Sequence, residues 1–194
     1  MPERAEQVHL LVLAKAPIAG RVKTRLCPPF TPEQAAQLAQ AALQDTLDAV
    51  AGTPAAARTV VLDGQPGDWL PPSFAVLPQR GGGLDERLAA AYDDAWAETR
   101  APLLLVGMDT PQVTPALLRA AVGRLLSPGT DAVLGLAADG GWWALGLRRP
   151  DASVLLGVPM STDTTGAAQQ ERLADAGLSV GALPVQDTWH AGGR

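Results

Sequence analysis

The chain has 194 residues, 47% of them hydrophobic and 18% charged, with a formal net charge of -5. That is a folded composition, and its acidic balance argues against a general nucleic-acid binder, which needs a broad basic face to neutralise backbone phosphates. No apolar run approaches the roughly 18 residues of a membrane span, and the single cysteine, Cys27, excludes an internal disulfide and a Cys-rich metal site.

Residues 1–6 are polar and mixed in charge, unlike a secretory leader, so the expectation is a cytoplasmic protein with one domain over 1–194. Residues 8–13 (VHLLVL) form a short uninterrupted apolar run, which predicts a strand covered on both faces. The stretch 13–28 (LAKAPIAGRVKTRLCP) then places Lys15, Arg21, Lys23 and Arg25 close together, and Pro17 and Gly20 keep it from continuing as strand or helix. In an acidic chain such a loop is either a solvated surface segment or a cradle for a polyphosphate, and the charge pattern alone admits both. Cys27 is expected to be a small buried hydrophobe and not a nucleophile.

Thr31-Pro32-Glu33 reads as an N-cap with Pro at the first helical position. Ala35, Leu38, Ala42, Leu43 and Leu47 continue at helical spacing until Gly52. Strands are predicted over 59–62 and 74–77. Gly81, Gly82 and Gly83 then run into a helix with apolar positions Leu84, Leu88, Ala91 and Tyr92. Glycines there let the backbone approach a ligand while the helix N-terminus offers N–H groups to an anion; a flexible turn would use the same residues.

Residues 103–106 (LLLV) read as a buried strand ending in Gly107-Met108-Asp109-Thr110-Pro111, and Thr114-Pro115 caps a further helix carrying Leu117, Leu118, Ala121 and Leu125. An aspartate leaving a hydrophobic strand at its C-terminal end stands in the crevice where open α/β sheets bind ligands. Asp109 is therefore a candidate Mg²⁺ ligand, with capping of the turn as the alternative. Residues 132–136 predict another strand, and Asp139-Gly140-Gly141 after it is a hairpin signal that makes the next strand antiparallel. On that strand Trp142 and Trp143 point to opposite faces, one for the core and one for a pocket. Residues 154–158 suggest a short apolar turn. Ser161 to Thr165 open a helix reaching Ala176 and stopped by Gly177, and 178–185 supply a last strand with Asp187 beyond it. His190 is expected to be exposed. Strands alternating with helices predict a mostly parallel α/β sheet, made mixed by the hairpin.

Taken together, residues 14–26 (AKAPIAGRVKTRL), 83–88 (GLDERL), 107–111 (GMDTP) and 138–142 (ADGGW) resemble the glycosyltransferase-A-like nucleotide-diphosphosugar transferase family. Within it they resemble the bacterial branch related to 2-phospho-L-lactate guanylyltransferase. The resemblance implies a Rossmann-like three-layer sandwich with a mixed, mainly parallel sheet of about seven strands. It implies nucleotide contacts from Ala14, Lys15, Arg21, Lys23, Arg25, Gly82, Gly83 and Arg87, with Lys15, Arg21, Lys23 and Arg25 also offsetting charge in the transition state. Mg²⁺, or Mn²⁺ in its place, would be held by Asp109 and Asp187, and Asp139, Gly140, Gly141 and Trp142 would lie over the acceptor. Where the family carries an Asp-x-Asp pair followed by Thr-Pro, this chain has Gln186-Asp187-Thr188-Trp189. The implied partners are an NTP or nucleotide sugar and a small phosphorylated or hydroxyl acceptor, with no nucleic acid and no membrane. Base, acceptor and oligomeric state stay open. The implied activity is Mg-dependent nucleotidyl transfer with release of pyrophosphate; sugar transfer from a nucleotide sugar and nucleotide binding without catalysis are the alternatives.

Overall fold

The computed structural model describes residues 7–110 and 112–187. Pro111, the tail carrying Thr188, Trp189 and His190, and the first six residues lie outside the described residues. Seven strands form one sheet: β1 (His9–Lys15), β2 (Ala57–Asp63), β3 (Ala75–Pro78), β4 (Leu103–Gly107), β5 (Ala132–Leu136), β6 (Trp142–Leu147) and β7 (Val180–Ala182), in the order β3-β2-β1-β4-β6-β5-β7. Only β6 runs against its neighbours, as the Asp-Gly-Gly turn predicts; β1 pairs in parallel with both β2 and β4.

Among the described residues, four α-helices cover the sheet: α1 (Pro32–Ala51), α2 (Leu84–Thr99), α3 (Pro115–Leu125) and α4 (Thr165–Asp175). Their starts follow from local chemistry. Thr31 and Gln34 close a reciprocal capping box ahead of Pro32, and the Thr114 hydroxyl accepts from the Leu117 N–H ahead of Pro115. Central strand β1 is buried on both faces. Leu10 and Val12 join Leu43, Leu47, Leu118 and Trp143 on one side, whereas Leu11 joins Leu88, Tyr92, Leu105 and Leu145 on the other. Burial of each such side chain contributes roughly 1.5–3 kcal/mol.

Three expectations change. Cys27 is only half-buried, and it is Val22 and Leu26 that the loop sends into the protein interior instead. Helix α4 begins at Thr165, which leaves Ser161 to Thr164 as an exposed loop. The last strand is confined to Val180–Ala182, although the chain keeps contact with β5 through Leu183 N–H to Leu134 O (3.0 Å) and Gln186 N–H to Leu136 O (3.1 Å). Pro184, which lacks an N–H for the ladder, lies between them. No helix among the described residues is long and apolar enough to cross a membrane.

Candidate active site at the C-terminal edge of the sheet

Parallel pairing sets β1 and β4 side by side, and the two chains leave the sheet together. The Met108 N–H donates to Leu13 O (3.1 Å), and the Lys15 N–H reaches back to the Met108 sulfur (3.2 Å). These bonds bring the residue after β4, Asp109, next to the end of β1, at Lys15. The basic loop then turns through short backbone bonds, Ile18 N–H to Ala16 O and Arg21 N–H to Ile18 O, into a 3-10 turn at Thr24–Leu26. At its start Lys23 adopts a left-handed conformation (φ 49°), which costs an L residue on the order of 1 kcal/mol. This conformation accompanies an ion pair: Lys23 Nζ sits 2.9 Å from Asp109 Oδ1. The lysine side chain is sheltered, 12% exposed, whereas the aspartate is 41% exposed.

Two clefts meet at this pair. The smaller, about 380 Å³, is lined by Lys15, Arg21, Lys23, Arg25 and Asp109. The larger, about 760 Å³, shares Lys15, Arg25 and Asp109 with it, then extends past Leu13, Leu84, Leu88 and Trp142 to Asp139 and the 160–163 loop. One end is therefore cationic, and the other mixes apolar surface with hydroxyls and carboxylates.

The far wall is fixed by backbone contact between the hairpin turn and α4. Gly166 N–H donates to Gly140 O at 2.8 Å. A Cβ at Gly140, whose φ is +88°, would strike the Asp163 backbone, and one at Gly166 would come 2.6 Å from Gly141 O. Within the turn, Asp139 Oδ1 accepts from the Gly141 N–H (3.0 Å). Of the two tryptophans, Trp143 is in the core, with its Nε1 donating to Pro184 O, and Trp142 lines the cleft, so the opposite-face expectation matches the structure.

Lys15, Arg21, Lys23, Arg25 and Asp109 thus come together, with Asp139, Gly141 and Trp142 on the cleft's other wall. Other residues go elsewhere. Ala14 is buried in β1, where its carbonyl accepts from Gln79 Nε2 (2.8 Å). Arg87 donates to Asp63 (3.2 Å) and Gln79 (3.4 Å). The anion cradle expected at Gly82 and Gly83 is corrected: Glu86 folds back to accept the Gly82 N–H (2.7 Å), and Asp85 and Glu86 already bring negative charge to that helix end. Asp85 also accepts from the Gly157 N–H, and that bond holds its carboxyl below the usual carboxylate range. Asp187 follows the Gln186–Ala137 bridge at the far edge of the sheet and does not line either cleft. Inspection of the sequence misses Ser161, Thr162 and Asp163, which line the larger cleft; the extra hydroxyl and acidic residues ahead of α4 were the available signal.

The family model described as "Uncharacterized protein conserved in bacteria (DUF2064)" matches residues 35–162. The chain belongs to this family. No curated protein matches the chain. Among solved structures, the "putative nucleotide-diphospho-sugar transferase" of Desulfovibrio desulfuricans G20 is 27% identical, with a TM-score of 0.85 over 95% of this chain and 82% of that one. CMP:2-keto-3-deoxy-manno-octonic acid synthetase complexed with CTP is 12% identical, with a TM-score of 0.59 over 94% of this chain and 91% of that one. Glucosyl-3-phosphoglycerate synthase from Mycobacterium tuberculosis, in complex with Mn²⁺, UDP and glucosyl-3-phosphoglycerate, is 12% identical, with a TM-score of 0.58 over 100% of this chain and 75% of that one. This DUF2064 chain therefore has the fold of the nucleotide-diphosphosugar transferases, with nucleotidyl and glycosyl transferases among its structural neighbours.

Among the described residues of this DUF2064 chain, no group of three or more His, Cys, Asp or Glu could hold a metal by itself. The residues present do fit a hard divalent cation held the way Mg²⁺ commonly is, by one carboxylate together with ligand phosphates and water. Asp109 supplies an exposed carboxylate, and the cationic cleft beside it supplies the place for phosphates.

Proposed function

We propose that the protein is a metal-dependent nucleotidyltransferase that joins an NTP to a phosphorylated small molecule and releases pyrophosphate, the chemistry implied by the resemblance to 2-phospho-L-lactate guanylyltransferase. The observation that carries this reading is the convergence of Lys15, Arg21, Lys23 and Arg25 on one cleft beside Asp109. Four cations around one carboxylate suit a triphosphate and a divalent ion together. Lys15 and Arg25, which line both clefts, bind the triphosphate from the side on which the acceptor arrives. An acceptor phosphate oxygen attacks the α-phosphorus in line, the bond to the β-phosphate oxygen breaks, and its electron pair leaves with pyrophosphate. Lys15, Arg21, Lys23 and Arg25 offset the charge that builds on the equatorial and leaving oxygens, so no covalent nucleophile is required of the protein. Mg²⁺ or Mn²⁺ held at Asp109 would supply further neutralisation of the triphosphate. Asp187, just past the Gln186–Ala137 bridge, is the candidate second carboxylate that the resemblance implies.

A nucleotide sugar as donor is the second reading, favoured by the hydroxyls and carboxylates of the wall facing the cations, which suit a neutral hydroxyl acceptor. Incubation of the protein with each NTP and phosphorylated acceptors, and with NDP-sugars and hydroxyl acceptors, separates the two. Acceptor-dependent pyrophosphate supports nucleotidyl transfer, and NDP supports glycosyl transfer. Stabilisation by nucleotide and metal without any turnover would leave a binding protein.

A further inference from the structure

The ion pair beside the cationic cleft joins two groups that a triphosphate and a divalent ion would each claim. Lys23 Nζ lies 2.9 Å from Asp109 Oδ1, and that oxygen is closed off from solvent with no hydrogen-bond partner among the described residues. The contact is therefore one of charge and proximity and not a directed hydrogen bond. A carboxylate oxygen taken out of water is costly unless something matches it, and here a single ammonium covers it. The rest of the side chain stays open: Asp109 is 41% exposed and lines both clefts.

With Lys23 in this position the Asp109 carboxylate is already neutralised. A divalent ion approaching either of its oxygens meets the Lys23 ammonium on that carboxylate, and Lys15, Arg21 and Arg25 in the same cleft, so like charges oppose it from several sides. A triphosphate removes both obstacles. Its oxygens offer the ammonium charge-assisted hydrogen bonds in place of Asp109, and its negative charge offsets the remaining cations. Lysine suits the exchange because it carries a point charge with rotatable donors on a flexible four-carbon stem, and the head can change partner while the backbone stays in place.

We infer that Lys23 is a built-in substitute for the divalent ion. In the unliganded protein its ammonium holds the Asp109 carboxylate, and it passes to the phosphates when the triphosphate binds, so the ion enters with the triphosphate or after it and never ahead of it. The inference rests on the nucleotidyl-transfer reading, which places the ion at Asp109 and the phosphates in the cationic cleft, and adds an order of binding to it. Because coupling between two ligands is reciprocal, each tightens the other by the same factor.

The test titrates Mn²⁺ into the full chain without nucleotide and reads free against bound ion by electron paramagnetic resonance. Lys23→Met, which keeps the stem and removes the charge, should bind Mn²⁺ about tenfold or more tighter than the unaltered protein. Arg21→Gln removes a cation of the same cleft but not the one on Asp109, and should tighten binding by less than about threefold. The converse measurement needs no change at Lys23: with EDTA present, Asp109→Asn releases the ammonium and should bind inorganic tripolyphosphate about threefold or more tighter by calorimetry. Unchanged Mn²⁺ affinity in Lys23→Met, equal tightening by Arg21→Gln, or unchanged or weaker tripolyphosphate binding in Asp109→Asn overturns the inference. A gain in Lys23→Met that survives the addition of Asp109→Asn is a different failure. It puts the ion elsewhere, and so sinks the metal site of the nucleotidyl-transfer reading and the inference with it.

Discussion

The two edges of the sheet handle polar groups in opposite ways. At the N-terminal edge His9 is completely buried, yet both ring nitrogens are bonded, Nε2 to the Thr59 hydroxyl at 2.8 Å and Nδ1 to the Thr99 hydroxyl at 3.2 Å. Nearby, Arg58 donates to the Val50 and Thr53 carbonyls at the end of α1. At the C-terminal edge the charged groups stay open to a cleft, and two residues lining the clefts, Lys23 (φ 49°) and Ser161 (φ 60°), hold left-handed backbone. At the first edge His9 and Arg58 are bonded within the chain and serve stability. The other turns its charged groups into clefts, the pattern expected where a ligand completes the structure.

Substitutions should divide along that line. The largest effect is expected for Asp109→Ala: metal-dependent turnover falls by about a thousandfold or more, well beyond the modest loss of stability from ending its ion pair with the sheltered Lys23. An unchanged rate in this variant would remove Asp109 from the site. Next comes Gly140→Ala, at a position that joins a positive φ to a steric clash with the Asp163 backbone. It should cost about 2–4 kcal/mol of stability and loosen the far wall of the larger cleft, readable as a drop in the denaturation midpoint. A neutral outcome would show that the turn and α4 are not held in contact.

The opposite edge gives smaller, pH-dependent effects. Burial pushes the His9 pKa down to about 4, from 6.5 in an unfolded chain. Below pH 6.5 the unfolded chain therefore takes up a proton that the folded one refuses until about pH 4, so stability should fall as pH drops through that window and be fully present above it. Melting curves of the protein and of His9→Asn between pH 4 and pH 7.5 check this: the variant should lose part of the slope, and parallel curves would remove His9 as its source. Smallest is Thr31→Ala, which removes half of the capping box ahead of α1 and should cost about 1 kcal/mol in chemical denaturation with activity untouched.

The sheet and most helices were legible because their signals are local. Apolar runs such as 103–106 need only burial, and Thr-Pro pairs start helices through the hydroxyl and the fixed φ of the ring. The cationic loop and Asp109 were legible as charges beside strand ends, since the C-terminal edge of a parallel sheet is where such charges meet. What stayed hidden depends on distant or competing partners. Glu86 reaches back to Gly82 and spends that helix end within the chain, whereas the motif alone suggests an anion there. Arg87 is drawn to Asp63 across 24 positions of sequence, and nothing local announces that pairing. The loop at Ser161 to Thr164 looks like the opening turn of a helix, and only the approach of Gly140 from the hairpin brings it to the cleft.

That approach of Gly140 to Asp163 has a consequence for how the cleft can diversify. The contact is made by backbone and two glycines, so it is indifferent to which side chains stand at 161, 162 and 163. The glycines act as a fixed setting, and the neighbouring side chains as exchangeable stones. Replacing those stones can retune what the larger cleft admits while the cationic side, built on β1 and β4, keeps its shape.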